Sequence, residues 1–210
     1  MDLVMFDYDG VIVDSYEQDY KDFIQLCRAH GLEINSKDEY DRLLDDNCYK
    51  VMKEYYGLDE GAIDAILKDW EKVSENYVNM PIFKGMQDAV KKIAEKHTVI
   101  VITSNISTLV STVLRNNGIT EFEDILGADA DKSKIKKIRK AMEIYPFDTA
   151  YYIGDTTGDV IEAREAGAKT IAVTWGYHSA ERLKRTEPDY LVNTPEELTA
   201  LLCNLSAPRD

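Results

Sequence analysis

Five short apolar stretches rich in β-branched residues punctuate the chain: Leu3 to Phe6, Thr98 to Ile102, Ala150 to Ile153, Thr170 to Val173 and Tyr190 to Val192. Near-continuous apolarity over so few residues predicts strands buried on both faces, the habit of a parallel sheet. Between them the apolar positions recur with helical period. Met86 to Lys96 places Ala89, Val90, Ile93 and Ala94 on one face, and Ile135 to Ile144 does the same with Ile138, Ala141 and Met142. The alternation of strand and helix predicts an α/β fold with a doubly wound parallel sheet, a Rossmann-like core.

The stretch from Ser15 to about Met80 breaks that rhythm, with amphipathic helical patterning, no strand-like run and turn signals at Gly31, Gly57 and Gly61. It predicts a small α-helical insert of residues 15–80 set into a core made of residues 1–14 and 81–210. Val11 to Asp14 reads as the crossing strand that leads out. Asn79-Met80-Pro81 followed by Lys84-Gly85 ends the last helix and leads back, so two adjoining crossings predict a hinge. The tail Ser206 to Asp210 is expected to be disordered.

Composition narrows the functions open to such a fold. The chain has 210 residues, 44% of them hydrophobic, enough for one sizeable core and a smaller one. Its formal net charge of -14 sets it against nucleic acid and anionic membrane as partners. A phosphate-bearing ligand would meet the same repulsion, so its site has to be built from local donors, a metal and helix N-termini. No apolar run approaches the roughly 20 residues that span a bilayer, and Asp7 interrupts the first one too early for a signal peptide. Cys27, Cys48 and Cys203 are odd in number, widely spaced and without a CxxC pair, which suits a reducing, cytoplasmic setting. His30, His97 and His178 do not cluster and read as surface or internally satisfied side chains.

Candidate chemistry sits where the strands end. Asp7-Tyr8-Asp9-Gly10-Val11 puts two carboxylates just past the first strand, where ligands of open α/β sheets bind, although Asp and Gly are also ordinary turn residues. Thr103-Ser104-Asn105 follows the second strand and offers hydroxyls and free N–H groups to an anion, or a simple helix cap. Ser133-Lys134 opens a helix, with Lys132, Lys136, Lys137 and Lys140 crowding it into what in isolation is a solvated basic face. Gly154-Asp155-Thr156-Thr157-Gly158-Asp159 again follows an apolar strand, its acids spaced to share one side of a turn. Carboxylates gathered from these segments repel at ~4 kcal/mol per pair at 4 Å and an effective dielectric near 20. A hard dication relieves that repulsion, and magnesium, which takes oxygen ligands and bridges to phosphate, fits best.

In this order, Asp7-x-Asp9, Thr103, Lys134 and Gly154-Asp155-x-x-x-Asp159 resemble the four motifs of the haloacid dehalogenase superfamily. Asp9 to Ser15, Pro81 to Gly85, Asp155 to Gly167 and Val173-Thr174-Trp175-Gly176-Tyr177 further resemble its phosphoglycolate phosphatase-like branch, in which the insert is a helical cap. The resemblance implies a magnesium-dependent phosphatase acting on a small phosphorylated metabolite. Asp7 would be the nucleophile that becomes an aspartyl-phosphate, and Asp9 the acid that protonates the leaving oxygen and later deprotonates water. The implied Mg2+ ligands are Asp7, Asp9 through its backbone carbonyl, Asp155 and Asp159. Thr103 and Lys134 would grip the phosphoryl group with Ser104 and Asn105 in support. The family often follows this lysine with proline and this chain has Ile135, so Lys132 stays a second candidate.

The same resemblance ranks the rivals. A dehalogenase needs neither Asp9 nor Asp155, a phosphomutase often carries His where the first insert helix has Asp19, and a non-catalytic binding protein would be expected to lack one of the acids. Phosphoglycolate, a sugar phosphate, a nucleotide and pyrophosphate stay open as substrates, and a pyrophosphatase as an alternative. From Asp14 to Glu75 there are 17 acids to 8 bases, so an anionic leaving group requires bases such as Arg42, Lys50 or Lys53 to point inward. Asn47 and Lys50 lie in a segment that faces either the pocket or, as a solvated helix face, the solvent, and Tyr8 beside the nucleophile is a candidate for the pocket wall. Trp175, Tyr177 and the tyrosines of the insert are expected to pack. The sequence gives no sign of oligomeric state.

Overall fold

The computed structural model describes residues 1–74 and 77–205. The tail expected to be disordered, Ser206 to Asp210, lies outside the described residues. Six strands, β1 (Leu3–Phe6), β2 (Thr98–Ile102), β3 (Asp124–Leu126), β4 (Ala150–Gly154), β5 (Lys169–Val173) and β6 (Tyr190–Val192), form one sheet in the order β3-β2-β1-β4-β5-β6. Every pairing is parallel, and Met5 of the central strand lies between Ile100 and Tyr152. The five apolar runs are strands. The sixth, β3, is a three-residue edge strand whose Asp124 and Ile125 are only partly buried, so it lacks the run that marks the others.

Alternation within the strands builds two layers of core. Val4, Phe6, Val99 and Val101 face one side with α5 (Met86–Ala94), α6 (Ser107–Asn116) and α10 (Pro195–Leu205). Leu3, Met5, Ile100 and Ile102 face the other, where α7 (Lys134–Ile144) and α8 (Thr157–Ala166) supply Ile138, Ala141, Ala163 and Ala166. A short α9 (Ala180–Lys184) lies between β5 and β6. This is the doubly wound α/β fold, and its strand order puts a crevice beyond the carboxyl ends of β1, β2 and β4.

Between β1 and α5 the chain forms α1 (Tyr16–Ala29), α2 (Lys37–Leu43), α3 (Cys48–Glu54) and α4 (Glu60–Ser74). They close on their own apolar cluster, with Ile24, Cys27, Ile34, Tyr40, Leu43, Met52 and Ile63 buried in it. The segment expected as a crossing strand is instead a pair of isolated bridges, Val13 with Asp9 and Val13 with Ile82. The Asp14 N–H donates to the Pro81 carbonyl at 2.9 Å and the Phe83 N–H to the Ile12 carbonyl at 3.0 Å, so the outgoing and returning chains are clipped together by few bonds. No helix among the described residues is long and apolar enough to cross a membrane.

Candidate active site

The sheet delivers three polar residues to one place. Asp7 follows β1, Thr103 follows β2 and Asp155 follows β4. The Asp7 N–H still donates to the Ile153 carbonyl (2.9 Å) and the Thr103 N–H to the Leu126 carbonyl (3.1 Å), so each is fixed by the last rung of its ladder. Carboxylate oxygens of Asp7, Asp155 and Asp159 lie within 4.8 Å of one another, all three side chains buried. Lys134, the first residue of α7, reaches Asp7 Oδ2 at 2.6 Å and Asp159 Oδ1 at 2.5 Å.

Two glycines make the crowding possible. A Cβ on Gly10, whose φ is +71°, would stand 2.0 Å from Asp155 Oδ2, and one on Gly176 would stand 2.3 Å from the same atom. With neither present, the Tyr177 N–H donates to that oxygen at 2.7 Å. Asp159 is fixed by a capping box at the start of α8: its Oδ2 accepts from the Thr156 N–H (3.1 Å) and Oγ1 (2.7 Å), while Thr156 Oγ1 accepts from the Asp159 N–H (3.2 Å).

Asp9 stands apart from the three clustered acids. Its Oδ1 accepts from Ser15 Oγ at 2.9 Å, and the Asn105 side chain hydrogen-bonds to it. Ser15 Oγ lies 2.8 Å from the Tyr177 hydroxyl, which donates to Asp19 Oδ2. The hydroxyls of Ser15 and Tyr177, each donating to its own acid, thus lie side by side and set Asp9 close to Asp19 of the insert helix α1.

Charge is out of balance in this pocket. Burial pushes the Asp7 carboxyl up to about 8, against the pull of Lys134 and with the push of Asp159. Burial likewise moves Asp9 to about 6, opposed by the hydrogen bonds of Ser15 and Asn105. It holds Asp155 well above the ordinary carboxylate range, helped by repulsion from Asp159 and Asp7. Asp159 is the exception, because Lys134 and the Thr156 bonds outweigh its burial and leave it below the ordinary value. One buried ammonium does not satisfy this group of acids.

Thr103, Ser104, Asn105 and Lys134 line the same cavity as Asp7, Asp9 and Asp155. Thr103 Oγ1 accepts from the Asn105 N–H at 3.0 Å, and Asn105 Oδ1 accepts from the Ile106 N–H at 2.9 Å. The Ser104 carbonyl lies 3.5 Å from the Tyr49 hydroxyl. Lys132 turns away to pair with Asp64 on the insert, and its side chain is half exposed. Lys137 was indistinguishable in sequence from its exposed neighbours, yet it is buried, with Nζ donating to the carbonyls of Thr103 (2.5 Å) and Gly127 (3.2 Å). Burial and the charge of Lys134 lower it to about 8. The one available signal was its place at the fourth position of α7, in register with Lys134 and Ile138 on the inward face.

The surroundings of the acids depart from expectation at Tyr8. Tyr8 is not on the cavity wall; it is buried in the core cluster with Val11, Ile12 and Met80. Trp175 and Tyr177 both pack, Trp175 with its Nε1 donating to the Val11 carbonyl at 3.1 Å and Tyr177 against the rings of Tyr16 and Tyr40, and Tyr177 lines the cavity as well. Arg42, Lys50 and Lys53 are exposed and paired with Asp38, Asp46 and Glu60, and Asn47 Nδ2 donates to Glu162 Oε1 at 2.9 Å. None of these four lines the cavity.

The insert is joined to the core around this pocket. Arg182 holds the Asp45 carboxylate with two bonds, of 2.9 and 2.8 Å, and Thr157 Oγ1 donates to Asp45 Oδ1 at 2.9 Å. His178 is internally satisfied: Nδ1 accepts from the Thr157 N–H at 3.0 Å, which leaves Nε2 to donate to the Asp41 carbonyl at 3.0 Å. His30 pairs with Asp69 on the insert, and His97 lies against Asp2 and the Leu202 carbonyl.

Comparison with known proteins gives a consistent result. Residues 4–173 match the family described as haloacid dehalogenase-like hydrolase. A protein of Dickeya dadantii named "Probable phosphatase IndB" is 27% identical over 93% of this chain and 91% of its own. The phosphoglycolate phosphatase of Synechococcus elongatus is 23% identical over 98% of this chain and 99% of its own. The crystal structure of a predicted phosphatase from Clostridium acetobutylicum superposes with a TM-score of 0.80 at 25% identity, covering 97% of this chain and 98% of that one.

Proposed function

The chain belongs to the haloacid dehalogenase-like hydrolases, and from that premise we propose that it is a magnesium-dependent phosphatase cleaving a small phosphate monoester through an aspartyl-phosphate on Asp7. The observation that carries this reading is the meeting of Asp7, Asp155 and Asp159 within 4.8 Å with Lys134 bonded to two of them. The donor set suits a hard dication: it offers only oxygens and more acids than Lys134 can neutralise. Magnesium held by Asp7, Asp155, Asp159 and the Asp9 carbonyl would draw charge from the phosphoryl oxygens.

The remaining work falls to the chain's own side chains. An Asp7 oxygen attacks phosphorus, the bond from phosphorus to the ester oxygen breaks, and Asp9 in its protonated form delivers a proton to the departing alcohol. A carboxyl moved to about 6 keeps a useful protonated fraction near neutrality, and the bonds from Ser15 and Asn105 aim it. Asp9, now ionised, takes a proton from water as its oxygen attacks phosphorus, and Asp7 is released with inorganic phosphate. Thr103 and Lys134 hold the transferring group, and Lys137 holds Thr103 by its carbonyl. A dehalogenase would not use Asp9 or Asp155 in this way.

Purified protein should hydrolyse p-nitrophenyl phosphate only with magnesium. Exhaustive chelation should stop turnover, and calcium should not restore it, because its longer bonds and higher coordination number disturb in-line attack. Full activity after chelation would overturn the metal assignment.

A further inference from the structure

The insert turns toward the acids a wall that the chemistry of phosphoryl transfer does not require. It closes a cavity of about 140 Å³ and contributes Phe23, Tyr40, Leu43, Met52, Ile66 and Trp70 among its lining. No insert residue on this wall is a lysine, arginine or histidine. Each of the insert's lysines and arginines is exposed. Lys37, Arg42, Lys50, Lys53 and Lys72 are moreover tied to Glu17, Asp38, Asp46, Glu60 and Asp69. The one acid on the wall is Asp19, whose Oδ2 already accepts from the Tyr177 hydroxyl. Ionised, it repels a second anion; protonated, it offers one hydrogen bond and no charge.

A carboxylate or a second phosphate seated against this wall would leave water and find no counter-charge. Hydrocarbon seated there gains from burial, and a cavity of about 140 Å³ that also has to hold the transferring phosphoryl group beside Asp7, Thr103 and Lys134 leaves room only for a small one. Resting on the phosphatase reading above, we propose that the leaving group of the substrate is an uncharged, mainly apolar alcohol no larger than about one aromatic ring or a short branched chain. Esters whose leaving group is itself anionic, phosphoglycolate and pyrophosphate included, are poor substrates of this chain. The reaction is simple hydrolysis: the ester and water give the free alcohol and inorganic phosphate.

The test is kcat/KM of the full-length protein with magnesium for benzyl phosphate, 3-methylbutyl phosphate, glycerol 1-phosphate, phosphoglycolate and pyrophosphate. The two apolar esters should exceed the other three by about tenfold or more, since one ring or four to five carbons gain that much from a fitted apolar pocket. Equal values, or a lead for phosphoglycolate, pyrophosphate or glycerol phosphate, overturn the inference and leave the phosphatase reading intact. No Asp7-dependent hydrolysis of any ester, p-nitrophenyl phosphate included, overturns that reading and this inference with it. A second arm places a base on the wall: Leu67→Lys, at a half-buried lining position, should raise the ratio of phosphoglycolate to benzyl phosphate turnover at least severalfold. An unchanged ratio in folded variant contradicts the wall as the selector, and if the variant does not fold the wild-type ranking decides.

Discussion

On its core side the cavity presents Asp7, Asp9, Thr103, Lys134 and Asp155, and on its insert side Phe23, Tyr40, Met52 and Trp70. The core side is fixed by ladder bonds, a capping box and two glycines that allow backbone to touch Asp155. The insert side is a face of four helices around an apolar cluster of their own, attached through hydrogen bonds, ion pairs, the two clipped crossings and the packing of Trp70, Val73, Tyr77 and Met80 on the sheet's core cluster. Chemistry that tolerates errors of less than an ångström is thus built where the fold is stiffest. Selection of the leaving group is left to an element that can exchange side chains without disturbing that geometry.

Substitutions should separate the two sides. The largest effect is expected for Asp7→Asn, which keeps the shape and removes the attacking oxygen; turnover should fall by about a thousandfold or more for every ester, with the melting temperature unchanged or raised. Lys137→Met should be smaller and equally indiscriminate. It leaves the buried Thr103 carbonyl without a donor, while the Gly127 carbonyl still accepts from the Ala130 N–H, and frees the Thr103 segment, so kcat should drop by about tenfold for all esters while their ranking stays fixed. A change of ranking in that variant would mean that the core side also selects the leaving group.

Next in size is an effect of pH on the metal-free protein. A carboxyl raised by folding binds its proton more tightly in the folded state, so the fold gains stability as pH falls through the folded value. Asp7, at about 8, and Asp155, held well above the ordinary range, should therefore raise the melting temperature by a few degrees between pH 8 and 6.5. Lys137 titrates near the top of that window, and His97 and His178, held below their ordinary value by burial, begin to oppose the rise toward its lower end, where the unfolded imidazoles take up protons. Saturating magnesium should flatten the part of the slope that comes from Asp7 and Asp155, while Asp19, which burial also holds well above the ordinary range, keeps its share. The same scan with Asp7→Asn should lose much of it, and an unaltered slope would place its origin outside the acid cluster.

The smallest effect is expected at the joint between the two sides. Arg182→Gln weakens the partly exposed grip on Asp45 and should raise KM by about fivefold at most, with kcat nearly constant. A large fall in kcat would mean that this contact orders the acids themselves.

How far all this could be read from the chain depended on what kind of contact was involved. The buried strands and the motif residues at their ends were legible because a strand covered on both faces must be apolar and the ligands must follow it. Asp7, Asp155, Asp159 and Lys134 meet as that logic expects. The edge strand β3 was not legible, because Asp124-Ile125-Leu126 offers only two apolar residues in a row, whereas the equally short edge strand β6 keeps the apolar run Tyr190-Leu191-Val192. Lys137 was hidden among lysines that differ from it only in helical phase, and Tyr8 was placed on the cavity wall because adjacency in sequence was read as adjacency in space. The outward turn of Arg42, Lys50 and Lys53 was beyond reach too, since an amphipathic helix shows which residues share a face and not which cavity that face meets.

The most direct test of the central claim is to look for the phosphoryl group on Asp7. Asp9→Asn should still let an activated aryl ester phosphorylate the enzyme, because p-nitrophenolate leaves with little help, while hydrolysis of the product lacks its base. Acid quenching of this variant during reaction with p-nitrophenyl phosphate and magnesium, followed by peptide mass spectrometry, should find close to one phosphoryl group per chain on the Asp7 carboxylate. Release of p-nitrophenol with the group on another residue, or with no covalent phosphoryl group at all, would contradict the account.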